Sequence, residues 1–136
     1  VNGHDPRPVA GGRFRVELVD GNGRSTEIGC AEVVFPTLPA QPDALATPLQ
    51  EHLLLRRATG GDAVLHAWWA RAAQGRAPAR RSVRVTLLAA DGERAVMSWR
   101  FREARPVSLH YSPLDAMRAA LVMETLAVAF ERVEIG

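Results

Sequence analysis

Four histidines, one cysteine and fifteen carboxylates are the side chains of this 136-residue chain with obvious catalytic or metal-binding potential. The histidines are dispersed. His4 lies in the opening arm, His52 in a predicted strand, His66 on a predicted helix and His110 near a turn. None forms an H-x-x-x-H or H-E-x-x-H pair, the spacing that places two imidazoles on one helix face around zinc. Cys30 stands alone, which excludes an intrachain disulfide and a thiolate metal cluster. It reads as a small buried hydrophobe in a strand. There is no G-x-S-x-G nucleophile elbow and no G-x-x-x-x-G-K phosphate loop. Gly21-Asn22-Gly23 reads as a turn. Glu51 and Asp62 could meet in space, but nothing in their spacing commits them to acid–base work. The expectation is a chain with no catalytic residue, no cofactor and no metal.

Charge narrows the partners little. All 17 basic side chains are arginine, set against 15 acidic ones, for a net charge of +2. Arginine favours planar, two-pronged pairing with carboxylates. Arg76, Arg80, Arg81 and Arg84 come closest to a nucleic-acid patch but lack interleaved aromatics, so they read as a solvated linker and strand edge. No apolar run approaches the ~18 residues of a membrane span. The N-terminus lacks a charged-then-apolar leader pattern. The expectation is a soluble protein, made in the cytoplasm and without a membrane anchor.

The elements read as follows. Residues 1–12 form a mobile arm punctuated by Gly and Pro. From Arg13 the pattern alternates, with Phe14, Val16 and Leu18 on one side and Arg13, Arg15 and Glu17 on the other, which predicts a half-buried strand. Asp20-Gly21-Asn22-Gly23 turns the chain into a second strand from Thr26 to Phe35. Prolines 36, 39, 42 and 48 exclude a central strand from the next segment, an unusually long loop suited to a contact role. A third strand is expected over Leu49–Arg57. A helix begins at Gly60-Gly61-Asp62, with Asp62 as its cap, carries Val64, Leu65, Trp68, Trp69 and Ala72 on one stripe, and ends at Gly75. One Trp of the pair anchors the helix and the other packs at an edge.

Asp91-Gly92 centres the clearest hairpin. Val83, Val85 and Leu87 face Ala95, Met97, Trp99 and Phe101 on an apolar side, while the other side is basic. A short strand follows at Pro106–Tyr111. The stretch from Leu114 to Glu131 fits a helix on propensity, whereas Leu121–Val133 also reads as a buried strand.

Taken in order, these pieces resemble the tail-tube family of phage tails and contractile injection systems. The likeness is carried by Asp5-Pro6 with Phe14-Arg15-Val16-Glu17, by Leu53-Leu54-Leu55-Arg56-Arg57 before Gly60, and by the Trp-bearing helix from Asp62 to Trp69. Val85-Thr86-Leu87-Leu88 through Asp91-Gly92 to Trp99-Arg100-Phe101, then Pro106-Val107 and Glu124-Thr125-Leu126, complete it. The resemblance implies a mainly β fold, a β-barrel or sandwich of antiparallel strands with one flanking α-helix, in the Hcp-like tail-tube architecture. It implies a single domain over 13–136 and favours a strand from Val122 onward. It implies a structural role in stacked hexameric rings, with copies or paralogous tube subunits, sheath and baseplate proteins as partners and nucleic acid only as lumen cargo. The place of action would be the bacterial cytoplasm during assembly and then the finished particle. Arg13, Arg15, Phe35, Leu38, Leu45, Arg100 and Arg102 are the candidate intersubunit contacts.

Three positions depart from the family pattern: Arg7 replaces an aromatic, Val33-Val34-Phe35-Pro36 replaces a glycine-bearing segment, and the hairpin that follows is short and proline-rich. They suit a specialised paralogue, such as the ring joining tube to baseplate. The competing readings are a small β-barrel that holds an apolar ligand between the helix and the Met97-Trp99-Phe101 face, and a hydrolase using His66 or His110 with a nearby carboxylate.

Overall fold

The computed structural model describes residues 9–38, 40, 52–75 and 80–136. The arm's first eight residues, Leu45 and most of the proline-rich segment lie outside the described residues. Among the described residues, eight strands and one helix follow in the order β1 (Phe14–Val19), β2 (Ser25–Ile28), β3 (Glu32–Val34), β4 (Leu53–Ala58), α1 (Val64–Ala73), β5 (Arg81–Leu88), β6 (Ala95–Tyr111), β7 (Met123–Ala129) and β8 (Arg132–Ile135). All pairings are antiparallel, in the order β2-β1-β5-β6-β7-β4-β3, with β8 added to β6.

Local chemistry sets the tight turns. Asp20 Oδ1 accepts the backbone N–H groups of Asn22 (2.9 Å) and Arg24 (3.0 Å), and Gly23 supplies the positive φ of 81° that closes the β1–β2 hairpin. Asp91 repeats the device, accepting from Glu93 (2.8 Å) and Arg94 (3.0 Å) between β5 and β6. The N-cap of α1 is Ala63, not Asp62 as expected; Asp62, one residue earlier, accepts from Val64 N at 3.0 Å and so satisfies one donor of the first turn, and Gly75 (φ 70°) stands just past the helix end. Leu65 and Trp68 on the inner stripe of α1 are buried, while Trp69 is half-buried beside His66. Each fully buried side chain of that stripe contributes on the order of 2 kcal/mol.

The structure revises several expectations. The single strand expected from Thr26 to Phe35 is two: β2 pairs with β1, whereas β3 pairs with β4 at the far edge of the sheet order. The break falls at Gly29-Cys30-Ala31, so Cys30 packs against the core from a connection, not from within a strand. The short strand expected at Pro106–Tyr111 is the second half of the 17-residue β6. Its first half pairs with β5 and β8 and its second half with β7, the change coming near Glu103, which adopts φ 54°. A corner of this kind lets one strand serve two packed layers.

The helix that propensity allows across 114–131 does not form. β7 runs from Met123 between β4 and β6, in line with the strand expected from Val122. Pairing on both sides of β7 outweighs a propensity preference of tenths of a kcal/mol per residue. Finally, the apolar side of the β5–β6 hairpin is only partly covered. Val83, Val85 and Phe101 are buried in the core, but Ala95 and Met97 are exposed. Between the layers lie Val16, Leu18, Ile28, Leu53, Leu55, Leu126 and Val128 with Phe101, closed on one side by Leu65 and Trp68.

Candidate assembly surface

The three described histidines do not converge on a site, and His4 lies outside the described residues. His52 is half-buried, His66 lies beside the Trp69 ring (6.0 Å between centroids) and His110 is exposed on β6. Among the described residues no group of three or more His, Cys, Asp or Glu side chains could hold a metal ion. Burial pushes the Cys30 thiol up to about 11, which leaves it a poor nucleophile near neutral pH.

One buried charge cluster escaped the sequence reading. Arg57 and Glu124 are each only 5% exposed and stand directly opposite one another on β4 and β7. Arg57 Nε approaches Glu124 Oε1 at 3.3 Å as an ion pair without hydrogen-bond geometry, leaving Nε itself buried and unbonded. Its Nη1 donates to Asp62 Oδ1 at 2.9 Å. The Val64 N–H and the Arg57 guanidinium hold the Asp62 carboxyl below the usual range. Burial and the neighbouring Glu124 raise the Tyr111 hydroxyl. The cluster ties the end of β4 to β7 and to the first turn of α1, and presents no nucleophile or acid–base pair to a substrate cavity. Its signal was in the sequence: Arg57 follows Leu53 and Leu55, and Glu124 precedes Leu126 and Val128, on the core side of each alternation.

The outer face of the layer formed by β1, β5, β6 and β8 is charged in rows. Glu17, Arg84, Arg100 and Glu134 stand opposite one another across these four strands. Arg84 Nε donates to Glu17 (3.1 Å), and Arg102 Nε donates diagonally to Glu134 (3.1 Å). The face expected to be basic therefore carries both signs, with the Arg84 and Arg100 pair flanked by a glutamate on each side. The Arg84 hydrogen bond keeps the Glu17 carboxyl below its usual value.

The candidate contact residues fall on different parts of the surface. Arg13 is exposed beside the Gly92 turn, and Arg15 is half-buried on β1. Phe35, just beyond β3, sets its ring edge-on to Trp99 (4.8 Å), and Leu38 follows it half-buried. Arg100 and Arg102 lie on the opposite side of β6 from Trp99 and Phe101. An apolar groove of about 320 Å³, lined by Phe14, Val33, Phe35, Val85, Leu87 and Trp99 among others, opens between the layers. No residue of α1 lines it, so it is not the cavity between helix and sheet that the competing ligand-binding reading requires.

The sheet is unfinished at its margins. Among the described residues β2 pairs only with β1, β3 only with β4 and β8 only with β6, and the stretch Arg105–Tyr111 of β6 pairs only with β7. Each margin presents backbone donors and acceptors that a further strand would satisfy. Nearby, the 112–122 connection exposes Leu114 (83%), Met117 (92%) and Leu121 (76%). Such a surface defines an antiparallel β module whose margins could accept strands from other chains.

The comparisons name the family. The chain belongs to the family of the T4-like virus tail tube protein gp19, whose model matches residues 46–134. Its fold is similar to that of a chain in the anti-feeding prophage baseplate, at 16% identity over 97% of each chain and a TM-score of 0.75. It is also similar to a chain of the extracellular contractile injection system PVC sheath–tube complex, at 18% identity over 96% of this chain and 93% of that one, with a TM-score of 0.71. Hcp1 from Flavobacterium johnsoniae shares the fold at 13% identity over 91% of this chain and 94% of that one, with a TM-score of 0.59. No curated protein sequence matches. Family and fold are those of a structural component of tail-like particles, and the mainly β, Hcp-like architecture implied by the sequence is the one observed.

Proposed function

We propose that the chain is a subunit of the inner tube, or of the ring joining tube to baseplate, in a phage tail or contractile injection system, and that its copies close into hexameric rings that stack. The observation that carries this reading is the set of unfinished margins on β2, β3, β8 and the second half of β6. A neighbouring copy that adds strands there satisfies the open backbone groups and shields them from nonspecific pairing. A head-to-tail contact of this type generates rings and stacks. The similar chains come from baseplate, sheath–tube and tube-cap assemblies, which supports tube, sheath and baseplate proteins as partners and a place inside the finished particle. Assembly would take place in the bacterial cytoplasm, with nucleic acid only as cargo of the lumen. The contact set of Arg13, Arg15, Phe35, Leu38, Leu45, Arg100 and Arg102 is part of this proposal.

Electron microscopy of the purified protein, alone and with its tube partners, tests it. Rings with a central channel are expected. A protein that stays monomeric in both conditions would refute the reading.

A further inference from the structure

One end of the charged layer holds an arginine pocket that the fold does not need. It has a volume of about 260 Å³ and is lined by Arg80, Arg81, Arg100 and Arg102 together with Asp20 and Glu103. Its acids are engaged: Asp20 accepts the backbone of its own turn, and Glu103 lies 3.7 Å from Arg80. Arg80 also meets Glu131, and Arg102 takes the Glu134 carboxylate that stands across from Arg100. Arg81 and Arg100 are left with no ion pair among the described residues, and Arg100 Nε is buried with no hydrogen-bond partner. The donors left open to the pocket are the guanidinium groups of Arg81 and Arg100, both half-buried along its wall. The chemistry that fits is a carboxylate, which an arginine fork can grip with two parallel hydrogen bonds.

The same chain carries such a carboxylate at the opposite end of the same strands. The turn from β5 to β6 holds Asp91, whose Oδ1 is occupied by backbone, and Glu93, which is exposed and has no ion pair among the described residues. The pocket lies where β5 begins and this turn lies where it ends, about 20 Å away along the strand. Because each copy has one pocket and one turn on opposite ends, a copy stacked end to end offers its turn to the next copy's pocket, and the contact repeats without limit.

We propose that the Arg81–Arg100 pocket receives the Glu93 carboxylate of a second copy, as a head-to-tail contact between successive layers of the assembly. This rests on the tube-subunit reading above and names one contact within it. The test is a charge swap read by sedimentation and negative-stain microscopy, with circular dichroism to verify folding. Glu93→Arg and Arg100→Glu, each alone, set like charges against each other and should reduce stacked material about tenfold or more. The double variant Glu93→Arg with Arg100→Glu restores an opposite-charge pair at every contact and should recover stacking. The milder Glu93→Gln and Arg100→Gln variants, which disturb the monomer least, should weaken stacking and flatten its dependence on salt. Wild-type stacks that persist unchanged in the single variants, or a double variant as defective as the singles, overturn this contact and leave the tube reading standing. Wild-type protein that forms no rings at all overturns both.

Discussion

Removing either member of the Arg57–Glu124 pair should be far more damaging than removing both. In Glu124→Leu the guanidinium stays 5% exposed and keeps only Asp62, whose side chain is half exposed and therefore worth about 0–1 kcal/mol. The loss expected for stranding one charge of a buried pair is about 3 kcal/mol. Arg57→Met leaves Glu124 buried with the Tyr111 hydroxyl as its remaining partner and also frees Asp62, so its cost should be at most about 3 kcal/mol. Replacing both charges together removes two desolvation costs along with their attraction, so Arg57→Met/Glu124→Leu should cost no more than about 2 kcal/mol. The coupling in a double-mutant cycle should then exceed about 2 kcal/mol. Urea titration of the four proteins, with unchanged slopes, measures it. Additivity of the two single costs to within about 0.5 kcal/mol would show that the two residues act independently, and would refute the account of this cluster.

Two further outcomes follow from the same structure. Trp68→Ala removes a fully buried ring and should cost about 3–5 kcal/mol, whereas Trp69→Ala, half-buried at the edge, should cost well under half of that; thermal melts of the two variants decide it. The Glu17 and Asp62 carboxyls sit below their ordinary values, held by Arg84 and by the Val64 N–H with Arg57 respectively. Their contribution is therefore full above the unfolded carboxylate range, about 4, and is lost as pH falls through the lowered native values. The urea midpoint should change little from these groups between pH 7 and 5.5 and fall below pH 4, and the fall should shrink in Glu17→Gln.

How far the sequence could be read varies by element. Hairpins were legible wherever an Asp side chain could reach the backbone two to four residues on and a glycine could take positive φ, as at Asp20–Gly23 and Asp91–Gly92. Strand β1 was legible from its alternation and α1 from its apolar stripe and terminal glycine, while the strand expected over Leu49–Arg57 is described from Leu53 to Ala58. The Arg57–Glu124 pair was legible in principle, as two charges in apolar register, but only the pairing of β4 with β7 shows that they face each other. The candidate contacts were chosen by analogy and by local polarity. The arginine pocket depends on which carboxylates the neighbouring strands supply, which no local window contains.

The chain's own order of residues determined the turns, the helix and the alternating faces, because each of these depends on interactions within a few positions. Tertiary structure decided the rest. It split the segment after Ile28 between two edges, ran β6 through both layers past Glu103, and made Met123–Ala129 a strand although its local energies allow a helix. Those choices turn on pairing partners up to 75 residues away, as Leu53 is from Val128, whose hydrogen bonds and buried area exceed local preferences.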